Sequence, residues 1–176
     1  MDADKGRKVT AGIDLGANLG WSVVHGKSLY MWGVYRLKDK HMAQRCAMMH
    51  TFIRHELLER NSTLIRVGIE SPPYAGKSKN LRTYGILHQY MGVAEAAFQN
   101  DNVCVKQINV MTLKKWATGY GHATKEEVQQ AMARLSGHDE LLVLSNDIAD
   151  AVACAYFVNA EVDPEYWSTV KEWRVL

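Results

Sequence analysis

Four acidic residues stand at positions where their carboxylates could act together. Asp147 and Asp150 lie three residues apart in LLVLSNDIADAVACAYF, so a helix would place both on one face. Asp14 and Glu70 each end a short apolar segment, RKVTAGID and LIRVGIE. Carboxylates this close repel one another, and burying them is costly unless a cation lies between them.

A cluster of carboxylate oxygens without cysteine or histidine is typical of Mg²⁺ or Mn²⁺ sites rather than zinc sites. Three or four converging carboxylates can hold two metal ions about 3.5–4 Å apart, which activate water and stabilise the leaving oxygen in phosphodiester hydrolysis. Taken singly, each acid is equally well explained as a strand-end residue or a solvated helix charge. All four in this order favour a metal site.

The acids converge only if the elements that carry them are neighbours. Three segments predict an antiparallel meander with a turn at Gly26: RKVTAGIDLG, LGWSVVHG and KSLYMWGVYRL. A helical segment, the strand LIRVGIE, the loop SPPYAGKSKN, the helix LRTYGILHQYMGVAEAAFQN and the strand NVCVKQIN follow. In open sheets of this kind, sites form beyond the carboxyl ends of the strands, where Asp14 and Glu70 stand.

Helical segments fill the remainder of the predicted order. VMTLKKWATG is expected to end at Gly119, and ATKEEVQQAMARLSG begins with a capping-box pattern at Thr124. The helix that carries Asp147 and Asp150 follows, capped by Ser145 or Asn146. A meander followed by alternating strands and helices predicts an α/β fold, with a mixed five-stranded sheet and helices on its faces.

Composition narrows the class of protein. The chain has 176 residues, 47% of them hydrophobic and 23% charged, which fits one globular domain. No apolar run is long enough to span a membrane, and the first residues lack a signal-peptide core, so we expect a cytoplasmic protein. The formal net charge of +2 neither requires nor excludes a nucleic-acid partner. The three cysteines, an odd number with no C-x-x-C pair, predict reduced, buried thiols.

Four segments resemble the motif regions of the RuvC-type Holliday junction resolvases: GIDLGANLGWSVV, VGIESPPYAGKSKN, LKKWATGYGHATKEEV and NDIADAVACAYF. The resemblance covers roughly residues 8–160. It implies an RNase H-like fold, a homodimer, and symmetric cutting of four-way DNA junctions with Mg²⁺, for which Mn²⁺ can substitute, two ions per site. The expected organisation is one nuclease domain over 1–176, with a core at about 8–160 and a C-terminal extension at 161–176.

By this resemblance Asp14, Glu70, Asp147 and Asp150 are the metal-binding, catalytic acids. Lys114, Gly119, Gly121 and Lys125 match a spaced lysine pair of the family, so both lysines are expected near the scissile phosphate. A lysine in the first turn of a helix opposes the helix dipole unless a negative group is near, and a DNA phosphate would be such a partner for Lys125.

The family places an aromatic residue a few positions after the second acid, where it unstacks bases at the junction. Tyr74 is the candidate, one position later than usual and preceded by two prolines; packing of Tyr74 against its own loop is an equal alternative. Lys77, Lys79, Arg82 and Lys115 are further candidate DNA contacts, and an ordinary solvated lysine also explains Lys115. Base stacking on an aromatic ring is worth about 1–3 kcal/mol.

Other departures favour a divergent member encoded by a phage or a mobile element. Leu15 stands where the bacterial enzymes carry proline, and the tail with Trp167 and Trp173 has no family counterpart. Three alternatives stay open from the residues alone: an actin-like or sugar-kinase ATPase, which shares the first motif, a junction-binding module that does not cut, and an RNase H-type enzyme acting on RNA–DNA hybrids. The sequence contains no second phosphate loop, which disfavours the ATPase.

Overall fold

The computed structural model describes residues 8–72, 80–99 and 101–169. Three of the candidate DNA contacts, Tyr74, Lys77 and Lys79, lie outside these ranges, as does Trp173. The other candidate site residues are described.

Five strands form one mixed sheet in the order β3-β2-β1-β4-β5. The strands are β1 (Val9–Asp14), β2 (Asn18–His25), β3 (Ser28–Arg36), β4 (Leu64–Glu70) and β5 (Cys104–Ile108). β1, β2 and β3 pair antiparallel, and the turn between β2 and β3 uses Gly26 at a φ of 58°. β4 pairs parallel with β1 on one side and with β5 on the other. The predicted meander and the mixed sheet are confirmed.

Six α-helices surround the sheet in the described part of the chain. They are α1 (Met42–Phe52), α2 (Leu81–Phe98), α3 (Val110–Thr118), α4 (Lys125–Ser136), α5 (Asn146–Val162) and α6 (Pro164–Thr169). A π-helical segment, Ile53–Glu59, extends α1, and a short 3₁₀ segment, Asp139–Val143, precedes α5. Local chemistry sets several ends: α3 stops at Gly119 with a left-handed φ of 84°, and Thr124 forms the predicted capping box with Glu127.

The two faces of the sheet bury different sets of helices. Alternate residues of β1 (Val9, Ala11 and Ile13) pack with α1 and α2. The intervening residues point to the opposite face, where α5 lies across β1, β2 and β4. α3 and α4 pack with α5 in a second apolar cluster. The sheet therefore sits between two helical layers, as the sequence predicts.

Two further findings concern expectations from composition. The three cysteines are unbonded, but only Cys154 is fully buried; Cys46 is partly exposed and Cys104 is exposed, so burial was wrongly expected for Cys104. Cys104 lies on β5, an edge strand, where alternate side chains face outward. Within the described ranges, no helix has the length and apolar character to cross a membrane.

Candidate active site

The two strand-end acids meet on the face of the sheet that carries α5. β1 and β4 are parallel neighbours with Ile13 opposite Ile69, so Asp14 and Glu70 come next to each other at the carboxyl ends of their strands. Side chains alternate along a strand, and Ile13 and Ile69 point to the α1–α2 side. Asp14 and Glu70 therefore both point toward α5. The predicted convergence of the two acids depends on their side chains sharing this face as much as on β1 and β4 being neighbours.

Small residues in the sheet let α5 approach unusually closely. A Cβ atom at Gly12 would lie 1.9 Å from the Ala151 carbonyl oxygen, and one at Gly20 would lie 2.0 Å from the Asp147 carbonyl oxygen. Both are far inside van der Waals contact, so any larger residue would displace the helix. The Ser22 hydroxyl donates a 3.0 Å hydrogen bond to the same Ala151 carbonyl. The backbone of α5 is thus held against β1, which ends in Asp14, and against its neighbour β2.

The start of α5 places its two acids at this edge. Ser145 is the N-cap, and its hydroxyl accepts a hydrogen bond from the Asp147 amide and donates one of 3.0 Å to the Asp147 carboxylate. Asp147 is partly exposed, whereas Asp150, one turn further into the helix, is only 9% exposed. Asp150 is therefore the acid that α5 presses into the protein, and Asp147 stands at the rim.

Lys125 reaches the acids from the first turn of α4. The capping box at Thr124 makes Lys125 the first residue of the helix, and its Nζ lies 3.6 Å from Oδ2 of Asp150. A DNA phosphate was predicted as a negative partner of this lysine. In the structure the carboxylate of Asp150 supplies that charge, because α4 packs directly against α5. The pairing between these two helices was not visible in the sequence.

The electrostatics of the cluster are unfavourable for three carboxylates. Burial, reinforced by the charges of Glu70, Asp150 and Asp147, raises the pKa of Asp14 well above its ordinary value. Burial and the charge of Asp150 raise the pKa of Glu70 from 4.5 to about 7. Burial also raises the pKa of Asp150, although Lys125 opposes the shift.

The negative charges that disfavour the ionised acids stabilise the charged form of Lys125. Burial acts to lower the pKa of its ammonium group, but the negative charges of Asp150, Asp14 and Asp147 outweigh burial and raise it. Perturbed groups that share one charged neighbourhood are typical of functional sites. The combination here indicates a site built to take up positive charge.

Lys114, on α3, lies near enough to the acids for its charge to act on them. Its ammonium donates a hydrogen bond to the carbonyl of Ala123, in the loop that leads to α4. Its charge acts to lower the pKa of both Glu70 and Asp150. Lys115 is exposed on α3 and Arg82 is exposed on the first turn of α2; neither contacts the four acids.

The four carboxylates are the kind of ligand that hard divalent cations bind. In this structure they lie farther apart than the ligands of a bound metal ion. Four carboxylates and no nitrogen or sulfur donor are the ligands that Mg²⁺ and Mn²⁺ prefer. Among the residues that the structure describes, no three His, Cys, Asp or Glu side chains are close enough together to hold an ion as they stand. Side-chain rotation alone would have to close the set, since the backbones are already held by the sheet and α5.

Comparison with known proteins identifies the family. The model of the family described as crossover junction endodeoxyribonuclease RuvC matches residues 10–157. The chain belongs to the RuvC family. Curated RuvC proteins include that of Rickettsia conorii, 31% identical over 160 residues, and that of Rickettsia prowazekii, 32% identical over 159 residues. Each match covers 84% of this chain and 94% of the relative.

Solved RuvC structures share the fold. The structure of Thermus thermophilus RuvC superposes with a TM-score of 0.71 at 24% identity, and the same protein in complex with Holliday junction substrate gives 0.74 at 22% identity. Both matches cover 88% of this chain and 95% of the solved chain. The yeast mitochondrial Holliday junction resolvase Ydc2 matches less closely, with a TM-score of 0.61 at 14% identity. The RNase H-like fold expected from the sequence is confirmed.

Sequence analysis missed the residues that position the acids. Gly12 and Gly20 are needed for the approach of α5, and Ser22 holds its backbone. The available signal was glycine inside two predicted strands, which marks either a bulge or close contact with another backbone. Nothing in the sequence said which backbone that would be.

Proposed function

We propose that this chain is a metal-dependent endonuclease that cuts four-way and related branched DNA, nicking opposite strands symmetrically. The observation that carries the proposal is the arrangement of Asp14, Glu70 and Asp150 around one sheet edge, with the ammonium of Lys125 beside them. The family model and the curated relatives, all described as crossover junction endodeoxyribonucleases, support the same activity. No specific observation favours an ATPase, a non-cutting module or an RNA–DNA hybrid substrate.

Asp14, Glu70, Asp147 and Asp150 would hold two Mg²⁺ ions, which Mn²⁺ could replace. When bound, such ions activate water and stabilise the oxygen that leaves phosphorus. The protein contributes the donor atoms and their placement. Because burial and mutual repulsion raise the pKa of three of these groups, positive charge in the cluster stabilises their ionised forms.

The two lysines would bind and orient the phosphate. Lys125 already faces the acids, and a phosphate brought to this edge would compete with Asp150 for its ammonium group. Lys114 would act as a second point charge, held in direction by its hydrogen bond to Ala123. A fixed cation beside a reacting phosphate opposes the negative charge that develops on the leaving oxygen.

We infer a single nuclease domain with a core at 8–160 that works as a homodimer, because two sites related by a twofold axis match the near-twofold symmetry of an open junction. α2 is the candidate dimer face. It buries Tyr90, Met91 and Phe98 in the core, while Leu81 is 72% exposed and a Cβ atom at Gly92 would meet no atom within 4 Å. Light scattering would measure the mass, and a monomer at micromolar concentration would contradict this part of the proposal.

DNA contacts outside the site are assigned on the family resemblance: Tyr74, Lys77, Lys79, Arg82 and Lys115. Phosphate contacts of this kind make binding weaken as salt rises. For Tyr74 the expectation is that Tyr74→Ala reduces cutting more than binding. Unchanged rates in that variant would return Tyr74 to a role in packing its own loop.

The deciding experiment incubates the protein with end-labelled four-way junction, linear duplex and RNA–DNA hybrid, each with Mg²⁺ or Mn²⁺. Paired symmetric nicks in the junction are expected. Asp14→Asn and Asp147→Asn should bind the junction without cutting it. Cutting of the hybrid alone would refute the proposed substrate, and full activity in either variant would refute the metal site.

A further inference from the structure

Three successive apolar side chains are exposed just before the helix that carries two of the acids. Leu142, Val143 and Leu144 are 46%, 85% and 37% exposed, whereas Leu141 immediately before them is 1% exposed. Among the described residues, Val143 is the most exposed large apolar side chain. We call Leu142–Leu144 the apolar tip. Contiguous apolar side chains that are exposed to water often mark a surface that contacts another molecule.

The apolar tip is held in place rather than loosely attached. Gln129 on α4 is 8% exposed, and its side-chain amide donates hydrogen bonds of 2.6 Å to the Leu141 carbonyl and 2.9 Å to the Leu144 carbonyl. One buried amide therefore fixes the backbone on both sides of Leu142 and Val143. A partner would meet a surface that is already formed, so little ordering of the loop opposes binding.

The position of the apolar tip connects it to the candidate active site. Ser145, the N-cap of α5, follows Leu144 directly, and Val143 is four residues before Asp147. Gln129, which holds the tip, lies one helical turn after Lys125 on α4. The helix that presents the lysine thus also supports the tip. Four residues of chain span at most about 14 Å, so DNA with a phosphate beside Asp147 would come close to Val143.

The surrounding charges indicate which part of DNA the tip would meet. Asp139 and Glu140 are exposed at the start of the 3₁₀ segment that continues into the tip, and they would repel phosphates. The attractive ammonium of Lys125 lies beside Asp150, one helical turn before Gln129 on α4. A phosphate is therefore expected at Lys125 rather than at the tip, and the part of DNA that meets the tip would be uncharged.

We propose that the apolar tip contacts the unstacked bases at the branch point of the DNA. Apolar side chains pack on exposed base faces and on thymine methyl groups, and they wedge between bases whose stacking is already broken. This inference rests on the proposed function and deepens it, because it adds a recognition element for branched over linear DNA. It involves none of the residues assigned to binding by the family resemblance.

The test compares Val143→Ser with Tyr30→Ser. Tyr30 is 58% exposed and lies on β3 near the end of the sheet opposite to Asp14, so it is a matched control. Anisotropy in EDTA gives the Kd for a labelled four-way junction and for linear duplex. Val143→Ser should weaken junction binding about fivefold to tenfold, as expected for losing one buried valine side chain, with a smaller effect on duplex. Tyr30→Ser should bind both DNAs like the wild type.

Several outcomes separate the inference from the function beneath it. If the wild-type protein prefers the junction and Val143→Ser keeps the full preference, the apolar tip does not contact the branch point, while the proposed function stands. An equal loss on junction and duplex would also overturn the inference, as would a change in the mass of the free protein, which would assign the tip to contact between protein chains. If the wild-type protein neither prefers nor cuts the junction, the proposed function itself fails.

Gln129→Met gives a second, independent test through the support of the tip. This variant keeps the size of the side chain but removes both hydrogen bonds to the loop. The expected result is a weaker preference for the junction, with a Kd for duplex like that of the wild type. A preserved junction preference, with the variant folded by circular dichroism, would overturn the claim that Gln129 presents the tip.

Discussion

Replacing Glu70 by glutamine should stabilise the metal-free protein while it abolishes cutting. Burial and the charge of Asp150 raise the pKa of Glu70 from 4.5 to about 7. A carboxyl whose pKa is raised on folding favours the folded state fully below its unfolded value, and that advantage is lost as the pH rises toward the folded value. The wild-type protein should therefore lose stability between pH 4.5 and 7, relative to a variant that cannot ionise there.

The magnitude follows from the same two pKa values. Each pH unit between them corresponds to about 1.4 kcal/mol, so a rise from 4.5 to about 7 costs up to about 3 kcal/mol once the carboxylate is ionised. The amide of glutamine has its own burial cost, which leaves an expected gain of about 2 kcal/mol at pH 8. Removing the Glu70 charge also relieves Asp14, whose pKa that charge raises. In a domain of this size, the gain would raise Tm by about 4–8 °C.

The assay is urea denaturation of wild type, Glu70→Gln and Glu95→Gln from pH 4.5 to 8.5 in EDTA, repeated with Mg²⁺. Glu95 is exposed and accepts a 2.7 Å hydrogen bond from Gln107, which a glutamine can also accept, so Glu95→Gln is the matched control. In EDTA, Glu70→Gln should become more stable than wild type as the pH rises, and the control should not. Mg²⁺ should stabilise wild type and the control by mass action, and Glu70→Gln much less.

One result would refute the reasoning directly. If Glu70→Gln is no more stable than wild type at pH 8 in EDTA, the carboxylate is not held at an electrostatic cost. If instead the variant is more stable but still gains from Mg²⁺ as the wild type does, the cost is real and Glu70 is not a ligand. The two failures are therefore distinguishable by the same set of curves.

Three further predictions test the placement of the site. Gly20→Ala should lose several kcal/mol of stability and all cutting, because its methyl group would lie 2.0 Å from the Asp147 carbonyl oxygen; thermal denaturation and junction cleavage measure the two effects. Lys125→Met should slow single-turnover cutting by about 100-fold or more with little change in junction Kd, and a wild-type rate would contradict its role beside the phosphate. Asn159→Leu should cost about 1–3 kcal/mol in urea denaturation at an unchanged cutting rate, since its buried amide links β1 to α6.

Sequence reasoning predicted those features that depend on local chemistry. The strand LIRVGIE, the capping box at Thr124 and the end of α3 at Gly119 each follow from a few neighbouring residues, and the structure has them at those positions. The convergence of Asp14 and Glu70 required that their strands be parallel neighbours, which the order of elements favoured, and that both side chains point to the same face of the sheet. The family resemblance supplied the fold class and the candidate roles of the acids and lysines.

The remaining features depend on contacts between distant segments. The ion pair between Lys125 and Asp150 was not predicted, because the sequence of neither helix shows that α4 packs on α5. The expected contact between Lys125 and a DNA phosphate stays a prediction. Gln129 gave no signal, since a glutamine within a helix is ordinarily solvated, yet it fixes a loop twelve residues later. Trp167 was unplaced for the same reason: its indole donates to Asn159 and packs beside Trp116, and neither contact follows from the spacing of the tail.

The structure separates the parts of the site that can change from those that cannot. The acids are placed by backbone contacts of α5, and at Gly12 and Gly20 even a methyl group would collide with that backbone. The apolar tip has no such constraint, because Val143 is 85% exposed and only the backbone beside it is held. Substitutions of Val143 would therefore change the proposed contact with DNA and leave the backbone contacts of α5 in place. The chemistry of the site is therefore coupled to the fold, whereas the selection of DNA shape can vary on its surface.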